Sequence, residues 1–205
     1  MRVVSHGIQS HGADDGTAVE LLDALATAAE EFTRQLAIIG DSDWSRSTPC
    51  SEWDVRYLVA HVVGGNRFAV SLLGGMSASD AMTEVMCTRQ LSHDPLGDYI
   101  ATSAAQLAAF RVDNPAEQRI DHPLGDITVR EFLEFRVFDT TLHSWDLARA
   151  LAADTHITPE LVDTVLAIVE SGPPGMGFGI IALGNAGPHS SPLERLLDLA
   201  GRSAT

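Results

Sequence analysis

Apolar residues recur three and four positions apart along most of the chain, and that period commits it to helices packed side by side. Leu21, Leu25, Ala28, Phe32, Leu36 and Ile39 trace one face through residues 17–39. Val55, Leu58, Val59, Val62 and Phe68 do the same from near Glu52 or Asp54 to Leu73. The same spacing predicts a short helix over 79–90, one from Leu96 to Val112, and a long one from Val129 to Leu151. Pro159, suited to a first helical turn, opens a further helix that runs to Gly172. A last short helix covers 193–200. Turn formers fill the gaps, among them "NPAEQRIDHPLGDIT", with room for one short extended piece, and the Gly/Pro-rich stretch at 172–188. No set of alternating strands and no fixed repeat appears, so the predicted fold is an all-α bundle.

Residues 1–16 read as a flexible polar lead-in without the apolar stretch of a secretion signal, and 17–205 as a single helical domain. No apolar run approaches the roughly 20 residues needed to span a bilayer, so no membrane partner and a cytoplasmic location are expected. A net charge of −15 disfavours nucleic acid and anionic membrane surfaces. All 13 basic residues are Arg, which removes Schiff-base chemistry and any phosphate-loop lysine. Two cysteines, Cys50 and Cys87, fit a reducing compartment and rule out a multi-cysteine zinc finger.

Within the long helix, "FDTTLHSWDLARA" places Asp139 and His143 one turn apart on one face. Phe132, Phe135, Asp139, Leu142, Leu147 and Ala150 trace its inward stripe. A buried carboxylate there needs a cation or strong donors, and either an Arg side chain or a metal ion would serve. His61 stands at the edge of the apolar face of another helix. Two histidines and one carboxylate from two helices have the composition of a three-ligand metal site with an open position. From residue types and spacing alone, that reading stands beside a metal-free, hydrogen-bonded core pair. Arg136, seven residues before His143 on the same side, would bind a substrate carboxylate or pair with Asp139.

Three segments carry a resemblance. "STPCSEWDVRYLVAHVVGGNRFAV", "LEFRVFDTTLHSWDLARAL" and the closing "SSPLERLLDLAGR" resemble signatures of the DinB-like superfamily, in the branch of the mycothiol-dependent maleylpyruvate isomerase. The resemblance implies a DinB-like four-helix bundle holding a divalent metal, zinc first, through His61, Asp139 and His143. The isomerase itself has Glu where this chain has the shorter Asp139, and the same donor set suits nickel(II) or iron(II). It further implies a metal-activated thiolate from a low-molecular-weight thiol such as mycothiol, attacking a small electrophilic substrate in S-transfer or isomerisation. The alternative is a non-catalytic binding or resistance protein with the same bundle.

Around that core, Asn66 is a substrate-pocket candidate, and Trp53 and Trp145 pack beside the ligand helices. Asp146 is read first as a surface partner of Arg149 or Arg130, with orientation of a ligand as the alternative. Cys50 is read as a loop residue, His93 and His122 as solvent-facing, and the 172–188 loop as a cover or a plain crossing. Exposed apolar faces on such bundles would serve a homodimer.

Overall fold

A computed structural model describes residues 13–88, 90–112, 116–172 and 180–203. Most of the expected lead-in (1–12) and the middle of the Gly/Pro loop (173–179) lie outside the described residues. Seven helices follow in order among the described residues: α1 (Ala13–Leu36), α2 (Val55–Leu73), α3 (Ala78–Cys87), α4 (Pro95–Arg111), α5 (Val129–Leu151), α6 (Pro159–Ser171) and α7 (Pro192–Leu199). Before α5 come two short strands, β1 (Arg119–Ile120) and β2 (Ile127–Thr128), paired antiparallel with Arg119 opposite Thr128. The single extended piece expected there is therefore a two-stranded hairpin, too short for alternation to announce it.

The four long helices close a ring: α1 packs on α5 and α4, and α2 packs on α4 and α5. α3 lies along α2, α6 along α5 and α7 along α6. None of the described helices is long and apolar enough to cross a membrane. The architecture is all-α, a four-helix bundle with additional helices.

Local chemistry sets the helix ends. Asp54 caps α2 by accepting from the Tyr57 N–H at 2.8 Å. Thr128 and Glu131 form a reciprocal capping box at the start of α5. α5 is buried on every side from Arg136 to Ala148, because α1, α2 and α6 wrap it. Its polar residues must therefore find partners inside the protein. The apolar core falls into two clusters. One holds Phe32, Leu58, Val62, Tyr99 and Leu147; the other holds Leu25, Phe68, Phe110, Phe132 and Leu142. Asn66 on α2 and Gln106 on α4 fall between the two clusters in sequence, and both are buried. On these two helices a buried amide thus separates the two apolar blocks.

Candidate metal centre and its cavity

α2 and α5 bring the three expected ligand residues together. Asp139 Oδ1 lies 3.4 Å from His143 Nε2 and 3.6 Å from His61 Nε2. All three ligand atoms fall within 4.8 Å of one another. The other oxygen, Oδ2, accepts from Arg136 Nη1 at 2.8 Å. Arg136 and a metal were alternative neutralisers of Asp139 in the sequence; in the fold they would address different oxygens of one carboxylate.

Arg136 is held from three directions. Its Nε donates to Gln106 Oε1 at 2.7 Å and its Nη2 to Asn66 Oδ1 at 3.0 Å, besides the bond to Asp139. Asn66, expected at the substrate, is buried and also donates to Thr102 Oγ1 at 3.3 Å. The guanidinium lies against the α2 backbone at Gly65, where a Cβ would stand 2.5 Å from Nη1. Glycine is required there because any side chain would displace the guanidinium from Asp139.

Behind the cluster, His143 Nδ1 lies 3.0 Å from Asp146 Oδ2. Asp146 is fully buried and also accepts from Arg202 Nη2 at 2.9 Å, so its expected surface pairing with Arg149 or Arg130 is not what forms. Arg149 instead covers the Trp145 ring, and Arg130 pairs with Glu134. Cys50 is a loop residue, as expected, but its Sγ is 3.2 Å from Asp146 Oδ2 and 3.9 Å from His143 Nδ1. A tight turn puts it there: Trp53 N–H donates to the Cys50 carbonyl, and Glu52 sits at φ 66°. The same turn lays Trp53 on both imidazoles, with ring centroids 4.7 Å from His61 and 5.7 Å from His143. Sequence reasoning missed Gln106, Arg202 and this placement of Cys50. Arg202 was within reach, since it closes the "LLDLAGR" segment that carried part of the resemblance.

Cys50, His143 and Asp146 form a second group with metal-ligand chemistry, but the Arg202 guanidinium already contacts both the thiol (3.6 Å) and the carboxylate. The cation of that group is Arg202. The Nε2 side of His143 is the side open to an ion.

Charges within the cluster are coupled. Burial alone would push the Asp139 carboxyl up, but His143 and Arg136 outweigh it and hold it well below the usual carboxylate range. Burial would likewise push His143 down, yet Asp139 and then Asp146 hold it well above the usual histidine range. Without a metal the cluster is thus an internal ion pair flanked by Arg136 and Asp146.

A cavity of about 230 Å³ opens on His61 and Asp139, walled by Phe68, Val85, Phe132 and Phe135 among others. A larger depression lined by Arg67, Ser71, Glu84 and Thr88 contains none of the clustered side chains. His93 is exposed, as expected, but His122 is buried against Phe68, Phe132 and Phe135. The β1–β2 turn places it there, with Nδ1 accepting from the Leu124 N–H at 3.2 Å. Burial lowers its pKa from 6.5 to about 4. The unfolded chain takes up this proton near pH 6.5 and the folded chain resists until about 4. Stability is therefore full above pH 6.5 and falls as pH drops through that window, by up to about 3 kcal/mol. His122→Phe is expected to flatten this acid limb in urea titrations at pH 7 and 4.5. Parallel losses in the two proteins would refute the assignment.

The fold and this cluster define a DinB-like bundle, and comparison with known proteins agrees. Residues 25–148, which include His61, Asp139 and His143, match the mycothiol maleylpyruvate isomerase N-terminal domain family. Two uncharacterized proteins of Mycobacterium tuberculosis, from strains CDC 1551 / Oshkosh and ATCC 25618 / H37Rv, are each 30% identical over 158 residues, 74% of this chain and 80% of theirs. The chain belongs to the mycothiol maleylpyruvate isomerase N-terminal domain family. Crystal structures of the mycothiol-dependent maleylpyruvate isomerase and of a single-site mutant of it superpose with TM-score 0.60 at 17% and 16% identity, covering 74% of this chain and 69% of theirs. At that identity the likeness speaks for the architecture.

Proposed function

We propose that the chain is a metal-dependent enzyme of small molecules, an S-transferase or thiol-dependent isomerase that uses a low-molecular-weight thiol of the mycothiol type. One observation carries the reading: the separations within the His61, Asp139 and His143 donor set. At 3.4 and 3.6 Å they are long for good hydrogen bonds. They match the edge of a tetrahedron built on metal–ligand bonds of ~2.1 Å, which is about 3.4 Å. The donor chemistry fits a divalent ion, zinc first, with nickel(II) and iron(II) suited to the same set.

A divalent ion bound there would lower the pKa of a coordinated thiol or water and so supply a nucleophile at neutral pH. The chain's own residues do the rest. Asp146 holds the His143 ring by Nδ1, which aims Nε2 at Asp139 and His61. Arg136 fixes the Asp139 carboxylate in place through Oδ2. The apolar cavity keeps competing water away from the electrophile. Cys50 lies on the Nδ1 side of His143 and does not line the cavity, so an external thiol fits the nucleophile's role better than this side chain.

The test is consumption of mycothiol, followed as loss of free thiol, with an electrophile such as a bimane halide. Zinc-loaded wild type is expected to consume it, and His143→Ala and Asp139→Ala to fall to the uncatalysed rate. Metal binding without thiol consumption across a panel of electrophiles and thiols would favour a sequestering protein instead.

A further inference from the structure

Asp146 can aim the His143 ring only if Asp146 is itself held. We infer that Arg202, just past the end of α7, is a positioning residue of the metal centre: its guanidinium fixes Asp146, and through it His143. The inference rests on the centre proposed above and names what in the chain sets its affinity for an ion.

An imidazole that gives Nε2 to an ion carries its hydrogen on Nδ1, and the acceptor of that hydrogen sets the orientation of the ring. Here the acceptor is Asp146 Oδ2, 3.0 Å away on a fully buried side chain. That bond alone does not fix the ring, because an aspartate carboxylate turns easily about its bond to Cβ. Oδ2 also has a competing donor, since Cys50 Sγ stands 3.2 Å from it. A carboxylate left to turn would serve the thiol at the expense of the imidazole.

Arg202 removes that freedom. Its Nη2 donates to Oδ2 at 2.9 Å and its Nε to Oδ1 at 3.3 Å, so one planar group holds both oxygens. The fork is held in turn. Nη1 donates to the Ala200 carbonyl at 2.7 Å, and the side chain is only 14% exposed. α7 ends in a Schellman turn, with the Arg202 N–H on the Leu197 carbonyl and the Gly201 N–H on that of Asp198. Gly201 sits at φ 71°, and a Cβ there would stand 3.0 Å from the Ile181 carbonyl oxygen, so glycine makes this turn without strain. Leu196 and Leu197, both buried in the core, anchor the helix that presents it. A helix end far along the chain thus reaches the face of His143 opposite the ion.

Zinc affinity, read by competition with a chromophoric chelator, tests this without turnover. Arg202→Met and Asp146→Ala are each expected to weaken zinc binding at least ~10-fold while circular dichroism stays unchanged. The double variant should bind no more than ~2-fold more weakly than Asp146→Ala, because Arg202 acts through Asp146. Arg202→Lys keeps the charge but not the fork and should still lose at least ~3-fold. It takes the place of Arg202→Met in the cycle if that variant does not fold. In the cobalt(II)-loaded chain, Arg202→Lys is also expected to move the visible absorption band, which a residue needed only for folding would leave in place. Wild-type zinc affinity in the arginine variants, losses that multiply in the double variant, or an unmoved cobalt band would overturn the inference. Absence of zinc binding by the wild type would overturn the proposed centre and this inference together. Zinc affinity that depends on Arg202, without thiol consumption, would sink the proposed reaction and leave the positioning role standing.

Discussion

Arg136→Met is expected to cost the metal-free chain about 3–5 kcal/mol, the penalty of removing one partner from a buried charge pair. The loss would take one of two cationic neighbours from the Asp139 carboxylate and strand the Asn66 and Gln106 carbonyl oxygens, all of them buried. Arg136→Lys would recover only part of it, because one ammonium cannot reproduce a planar fork that reaches three acceptors. Urea unfolding in the presence of chelator reads the effect directly. Adding Asp139→Leu to Arg136→Met should return part of the lost stability, since the carboxylate that lost its arginine disappears. A single-variant loss below about 1 kcal/mol would show that the guanidinium is a bystander.

Zinc should stabilise the wild type by about 4 kcal/mol when its free concentration reaches a thousand times the dissociation constant. His143→Ala, Asp139→Ala and His61→Ala are each expected to lose nearly all of that gain, in thermal unfolding run with zinc and with chelator. Retention of the zinc shift in any two of the three variants would place the ion elsewhere. Elemental analysis of protein purified without a His-tag gives an independent readout, with about one ion per chain expected in the wild type alone.

These expectations draw unequally on sequence and fold. The span of α5 follows from local signals, its apolar period and the Thr128–Glu131 box, and it was readable residue by residue. The start of α6 was readable for the same reason, since Pro159 acts within a turn, while the starts of α2 and α4, at Asp54 and Pro95, were read only to within a residue or two. The meeting of His61 with Asp139 and His143 stood as one of two alternatives on residue types and spacing, and the resemblance favoured it, because helical period says which face a residue occupies and not which helix faces it. Contacts of long sequence separation had no signal at all in the period. Gln106 reaches Arg136 across 30 positions, Arg202 reaches Asp146 across 56 and Cys50 reaches it across 96. His122 was misjudged as solvent-facing because a polar residue in a turn-rich segment normally is; a hairpin folded back onto three phenylalanines reverses that. Asp146 was misjudged because charges on a helix pair locally by default, whereas α5 is enclosed on every side over that stretch and offers no surface.

The division of labour between the two oxygens of Asp139 sets how many donors the chain can offer an ion. A carboxylate with both oxygens unengaged can chelate, and with two imidazoles it would supply four donor atoms and saturate a tetrahedral centre. Arg136 occupies Oδ2, so at the proposed site Asp139 would offer an ion Oδ1 alone. Replacing this arginine would therefore do more than weaken the fold. It would release the second oxygen, which at the proposed site would compete with a thiol for an ion.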